Sequence, residues 1–355
     1  MNEPALDLLR AGARTTVQDH GRFGLRALGV PVGGALDRLG LDLANALVGN
    51  PDNTAVLELT LSGPLLRVEA ESVRVALAGP ARIERIGRDG CRRRLESDRS
   101  WRLTRGESLD IGPIEGAAVA YLAVEGGFAL APLLGSRATH LAAGLGPLGG
   151  GALTPGRLPL CQAKAGPGPD RALVPPLPYG SGPIRVIAGP QYDAFLPSAW
   201  ETLLEEPYRV GLRSDRMGLR LEGPLLAHRH HADGASEGLV AGCLQVPGDG
   251  QPILLLAEHQ TTGGYAKIAT VISADLPRLG RVRPGDWLRF SAIDVAAAEA
   301  LRRDQERRLR ACLDSLVPLS GGEIDLAALY QTDLISGIIW AEAEDGSAWR
   351  ETGST

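Results

Sequence analysis

The sequence predicts a mainly β protein made of two related domains, and three observations carry that prediction. The first is punctuation: 46 glycines and 25 prolines stand against 4% aromatic residues, the composition of many short elements joined by tight turns. The second is length, because 355 residues exceed the roughly 50–250 of a single core. The third is internal echo. Leu109–Phe128 and Leu244–Tyr265 share one order of strand, glycine turn, strand and Gly-Gly-aromatic, the second with two extra residues placed at Thr261 and Thr262. Ser62-Gly-Pro-Leu-Leu66 is echoed by Glu222-Gly-Pro-Leu-Leu226, and Thr154-Pro-Gly156 by Arg283-Pro-Gly285, in the same order.

Taken along the chain, Ala35–Val48 puts Leu36, Leu39, Leu43 and Leu47 on one helical face, with Gly49 as a stop. Strands are expected at Val56–Thr60, Val73–Ala78, Ala118–Val124, Ile184–Ala188, Ile253–Ala257 and Trp287–Phe290, each bounded by Gly, Pro or Asp. Gly166–Pro183 has neither period and is rich in proline and glycine, so it reads as a linker. The expected division is residues 1–165, the linker 166–183, residues 184–293, and a C-terminal helix with tail at 294–355. Asp294 can cap that helix, whose Val295, Ala298, Leu301, Leu309, Cys312 and Leu316 form an apolar stripe.

Several function classes are excluded. Thirty-seven basic and 42 acidic residues, interspersed for a net charge of −5, argue against nucleic acid as the partner. No apolar run approaches the ~18 residues of a membrane span, and MNEPALDLLR lacks the basic start and apolar region of a secretory leader, so a cytoplasmic location is expected. Cys91, Cys161, Cys243 and Cys312 are widely spaced and read as reduced thiols. His228, His230 and His231 lack metal-site spacing and read as a solvated loop; no metal is expected. There is no serine elbow and no phosphate loop ending in Gly-Lys.

Polar groups concentrate in three places. After the apolar Pro252–Ala257, Gln260, Thr261 and Thr262 offer amide and hydroxyl groups where Gly263 and Gly264 would let a ligand approach the backbone, and Tyr265 and Lys267 follow. Thr15–Arg22 joins Gln18, Asp19 and Arg22, in which Asp19 could orient a guanidinium fork for a carboxylate or ureido group, or the whole could be a turn with a surface ion pair. Ser214–Gly218 carries Asp215 and Arg216, either an anion clamp or a loop fastener. Glu237 beside Gly238, and Gln245 before a turn, are weaker signals.

Thr16-Val-Gln-Asp-His-Gly-Arg22, Gly29-Val-Pro31, Gly34-Ala-Leu-Asp37, Asn45 with Val48-Gly-Asn50, Leu57-Glu-Leu-Thr60, Ser214-Asp-Arg-Met-Gly218, Ser236-Glu-Gly238 and Gln260-Thr-Thr-Gly-Gly-Tyr265 together resemble one family. It is the biotin-dependent carboxyltransferase, or allophanate hydrolase subunit 2, family, whose branches include the C-type subunits of 5-oxoprolinases, KipA-like regulators and urea carboxylase. The resemblance implies two tandem cyclophilin-like β-barrels. It implies a B-type partner like allophanate hydrolase subunit 1, an A-type partner that opens the lactam, and a small amide or lactam substrate. The favoured activity is an ATP-dependent 5-oxoprolinase that forms glutamate, with ATP shared among the partners. The alternatives are carboxyl transfer from carboxybiotin to urea, or a non-catalytic regulator that binds a KipI-like protein. Lys164 and Lys267 lie in AKA and AKI, unlike a Met-Lys-Met attachment site, so biotin would ride on a separate carrier.

On this reading Gln260, Thr261 and Thr262 hold the substrate's polar head, Tyr265 packs on its body, and Lys267 or Arg216 neutralises developing charge. Glu237 or Glu258 is the expected general base if burial raises its pKa. Gln18, Asp19, Arg22, Asp37 and Asn45 form a second wall or clamp. Glu258, His259, Ala266, Gly151 and Arg157 depart from the residues usual in the family at those points.

Overall fold

The computed structural model describes residues 3–174, 177–229 and 233–319. It is mainly β, with four α-helices among the described residues: α1 (Arg38–Val48), α2 (Pro197–Glu205), α3 (Leu276–Leu279) and α4 (Val295–Asp314). None is long and apolar enough to cross a membrane.

In the first half, six strands run in the order 156–159, 5–10, 65–68, 108–114, 81–86, 92–95. Seven more run 14–18, 56–60, 119–124, 72–78, 99–104, 170–172, 317–319. Their inner faces enclose one core that includes Leu8, Leu57, Leu59, Val75, Leu77 and Leu122. The period of two then turns Val56, Glu58, Val119, Tyr121 and Ala123 to the opposite face of the second sheet. There α1 covers them with Leu43 and Leu47. Both faces are buried, which explains the unbroken apolar run of Val119–Val124. It also places the lone carboxylate Glu58 inside the protein.

The second half is a single nine-stranded sheet. Its path begins at Trp287–Leu288 and ends at Phe290–Ala292, strands separated in sequence by Arg289 alone. The two ends of the sheet are therefore held together by the chain, and the sheet curls into a nearly closed barrel around Val186, Leu221, Leu244, Leu254, Ile268 and Phe290. The cyclophilin-like barrel architecture is thus present, and a C-terminal helix follows it.

Several details differ from the sequence reading. The first helix begins at Arg38 rather than Ala35, because Asp37 is its N-cap and accepts a hydrogen bond from Gly40 N at 3.2 Å. The strand from Ile253 ends at Leu255, and 287–290 splits into two strands at opposite sheet ends. Strands 108–114 and 119–124 lie in different sheets, whereas 243–246 and 253–255 pair directly, with Leu244 opposite Leu254. The longest internal echo is therefore not one structural unit repeated. Within the expected linker, Asp170–Ala172 is a strand paired with both 99–104 and 317–319. Asp170 also bonds Arg74 at 3.0 Å, which straps this stretch to the seven-stranded sheet. On α4 Asp294 caps as expected, accepting from Ala297 N at 2.7 Å, but the stripe breaks up: Val295 is exposed, Gln305 is buried, and Leu316 lies past the last turn.

Candidate functional site

Strand Thr262–Val271 passes between strands 233–238 and 243–246. A register shift after Leu244, which pairs with Ala269, sets Gln245 opposite Lys267. Such bulges re-aim side chains. Lys267 is 3% exposed, and among the described residues its ammonium meets one carboxylate, Glu237, at 3.1 Å. Glu237 also accepts from Gln191 Nε2 at 2.6 Å, and Gln191 Oε1 accepts from the Lys267 backbone at 3.3 Å. Gln245 is buried; its Oε1 accepts from Gln260 at 3.4 Å and its Nε2 has no partner among the described residues. The Lys267 ammonium and the Gln191 amide thus converge on one carboxylate, and Gln245, opposite Lys267 in the register, has an amide donor to spare, a set suited to binding a carbonyl and to stabilising it as it gains negative charge.

Three expectations are corrected here. Gly263 and Gly264 lie inside a strand, not a relaxed turn. Glycine is needed because the neighbouring strand comes so close: a Cβ would stand 2.9 Å from Leu239 Cδ1 at Gly263 and 2.8 Å from Gly234 O at Gly264. Glu237 is open to solvent rather than buried, and the hydrogen bond from Lys267, then that from Gln191, hold its carboxyl below the usual carboxylate range. That is the wrong direction for a base working near neutrality. Thr261 contributes its backbone carbonyl to Leu239 N at 2.9 Å, while Gln260, Thr262 and Tyr265 are exposed.

Arg216 is a different kind of buried cation. It is 4% exposed and binds Glu58, Glu258 and the Gly34 carbonyl at once. Burial alone would weaken its proton, but Glu58 and then Glu258 more than offset this and raise its pKa. A guanidinium whose charge is already matched by two buried carboxylates has none to lend a substrate anion, so the expected anion-neutralising role does not fit. Asp215 points elsewhere: it is exposed and accepts from Met217 N at 2.8 Å. Glu258, expected as a base, is spent on Arg216 and on Leu141 N at 3.2 Å.

The network continues through Tyr121, whose hydroxyl donates to Glu58 at 2.8 Å and accepts from Asp37 N at 2.8 Å. Asp37 in turn accepts from Tyr179 at 2.6 Å and meets Arg281 at 3.4 Å, while Arg281 stacks on the Tyr179 ring. Burial pushes Asp37 up to about 6, against the lowering effects of Tyr179 and Arg281.

The second cluster is a set of latches. Asp19 does not bond Arg22; it accepts from Ser136 Oγ and Arg137 N, both at 2.6 Å. Arg22 donates to the carbonyls of Leu133 and Ala138, and Gln18 to that of Thr139. All three fasten the 133–140 loop. Asn45 holds Asp52 O and Thr54 O at the end of α1. Of the histidine loop, His228 is docked on Phe195 with Nε2 3.2 Å from Pro247 O rather than solvated, and His230 and His231 lie outside the described residues.

A cavity of about 530 Å³ opens elsewhere, lined by α1, α4, the 20–39 segment and Leu256, Ala257 and His259. Gln260 to Tyr265 do not line it. Sequence reasoning missed Gln191, for which a lone glutamine after Gly-Pro gives no signal. It also passed over His259, which it noted as a departure without a role.

Known proteins resemble this chain over most of its length. It is 36% identical over 308 residues to the C-type subunit of the Escherichia coli K12 5-oxoprolinase, covering 85% of this chain and 96% of that one. Its likeness to the corresponding 5-oxoprolinase subunit of Haemophilus influenzae is 34% over 301 residues, 85% and 95% of the two chains. Among solved structures, the K. lactis urea amidolyase superposes with a TM-score of 0.78 at 26% identity, covering 92% of this chain but 21% of that one. The Kluyveromyces lactis urea carboxylase gives 0.78 at 28%, covering 90% and 30%. The family model for the carboxyltransferase domain, subdomain A and B, matches residues 28–292, a span that holds Lys267, Glu237, Gln191 and Gln245. With that match extending over most of both barrels, the chain belongs to the family of carboxyltransferase domains, subdomains A and B.

Proposed function

We propose that this chain is the C-type subunit of an ATP-dependent 5-oxoprolinase, acting in a cytoplasmic complex with a partner like allophanate hydrolase subunit 1 and a lactam-opening partner to turn 5-oxoproline into glutamate. The observation that carries the reading is coverage. The chain matches 96% of the Escherichia coli 5-oxoprolinase subunit at 36% identity but 18% of the Lachancea kluyveri urea amidolyase at 31%, which supports this reading over carboxyl transfer to urea.

Within this reading the Lys267 ammonium faces the amide oxygen, which becomes anionic as the lactam is activated, and Gln245 and Gln260 orient the amide. Glu237 holds the ammonium in place. Electrostatic groups aimed at developing charge contribute most to rate when water is excluded, and Lys267 is the buried member of the pair. Arg216 and Glu258 hold the barrels that carry this strand. The chain has no phosphate loop of its own, so partner chains would supply much of the hold on ATP.

Carboxyl transfer from carboxybiotin to urea or a related amide is the second reading, favoured by the TM-score of 0.78 to urea carboxylase. It needs the same amide-binding groups, plus a carrier domain. A KipA-like regulatory role is the third. The test is to co-express the chain with the partners encoded beside it and assay glutamate release with 5-oxoproline and ATP. Release that requires all components supports the proposal. A complete complex that ignores 5-oxoproline but carboxylates urea, or does neither, rejects it.

A further inference from the structure

The cavity beside α4 plays no part in the chemistry assigned to Lys267. Its volume, about 530 Å³, falls in the ~300–1,000 Å³ range of small-molecule sites. One wall is α4 (Val295–Asp314), which lies beyond the 28–292 span of the family model, so the enclosure is not a feature of the matched domain alone. The floor is apolar, with Leu39, Leu256, Leu276 and Leu313.

The polar lining is uneven. Four arginines and three acids face the cavity. Arg38 donates to His20 Nδ1 at 3.1 Å, and His20 Nε2 bonds Asp42 at 2.7 Å. Arg302 is taken up by Gln305 and Glu306. Arg26 and Arg310 on one side and Asp52 on the other have no side-chain partner among the described residues, so the unspent charge in this space is cationic on balance. Beside Arg26 stands His259, 5% exposed. A carbonyl can only accept, so the 2.6 Å bond between His259 Nδ1 and Gln260 O puts the ring proton on Nδ1. Burial lowers the imidazole's pKa, against the raising effect of the bond to Gln260 O, and the Arg26 charge adds to the lowering. Nε2 has no partner among the described residues and is left as a lone pair on a ring that lines the cavity with Arg26.

We propose that this cavity is a second small-molecule site, taking a compact organic acid whose carboxylate pairs with Arg26 and whose adjacent hydroxyl or amide N–H donates to His259 Nε2. The acid's apolar body lies on Leu39, Leu256 and Leu276. A simple carboxylate would leave the His259 lone pair unmatched, and a neutral alcohol would leave Arg26 unmatched. The structure thus selects for both groups on one molecule.

The test uses the full chain alone, without ATP or partners, so its outcome is independent of the oxoprolinase assignment. 2-Hydroxy-4-methylpentanoate is titrated while the ring C–H signals of the six histidines are followed by NMR. The signals of His259 and His20 move together at millimolar acid while that of His228 stays fixed. 4-Methylpentanoate, lacking the hydroxyl, binds about tenfold more weakly, and Arg26→Gln weakens the hydroxy acid by about tenfold or more. Arg26 sits in a short turn with no buried residue, so the variant should fold, and unchanged signals from the other histidines verify that. The proposal is overturned if no histidine responds, if only histidines outside the cavity respond, or if removing the hydroxyl and the guanidinium leaves binding unchanged.

Discussion

Lys267 and Arg216 are both cations at least nine-tenths buried, yet one is matched by a single carboxylate and the other by two. Lys267 meets one carboxylate that is itself half open to water. Arg216 is closed in by two buried glutamates and a backbone carbonyl. Burial does not separate them, but counting the carboxylates that match each charge does. A saturated ion cluster holds structure, whereas an ammonium with donors free beside two amides can meet a substrate.

The largest effect that could break this contrast is on stability. Arg216→Met strands Glu58 and Glu258 without their counter-charge, so equilibrium urea unfolding should show a loss of about 3–5 kcal/mol, if the variant folds at all. A loss below about 1 kcal/mol would mean that the cluster is not a strut. Next, Gly264→Ala drives a methyl toward Gly234 O. It should cost about 1–3 kcal/mol and loosen the 233–238 strand that carries Glu237, seen as faster amide exchange there.

A third test concerns pH. Asp37 has its folded pKa raised to about 6, above the ~4 of an unfolded aspartate. Between those values the folded state holds a proton that the unfolded state has lost, so stability falls as pH rises from about 4 to 6 and then levels. Asp37→Asn keeps an N-capping side chain and should flatten that fall in thermal melts across the window; an unaltered profile would assign the proton elsewhere. Smallest is Thr262→Val. The side chain is exposed, so stability should change by less than about 0.5 kcal/mol. A fall in turnover by the complex with stability intact would give Thr262 a place in substrate binding.

How much of this was legible in the sequence depends on the range of the interaction. Val56–Thr60 and Ile184–Ala188 came out with the same bounds because alternation, β-branched residues and flanking breakers are local signals. The capping roles of Asp294 and Gly49 are equally local. Partnership is not. Arg216 meets a glutamate 158 residues away, and the adjacent Asp215, the natural partner by spacing, turns outward to close its own loop. Asp19 and Arg22 were grouped because they are neighbours, but each reaches more than 100 residues ahead to the same loop. Glycine is ambiguous for a physical reason: Gly263 and Gly264 would look the same in a turn as in a strand crowded by side chains, as at Gly263, or by another backbone, as at Gly264. The burial of Glu237 was likewise unreadable, since it depends on where a strand edge meets solvent.

The central claim is that Lys267 is the buried cation available to substrate. Lys267→Met removes the charge and leaves an unbranched apolar side chain of similar length. In the assembled complex, glutamate release should fall by about 100-fold or more while the melting temperature stays near that of the unaltered chain. Full turnover by that variant, with folding unchanged, would contradict the account.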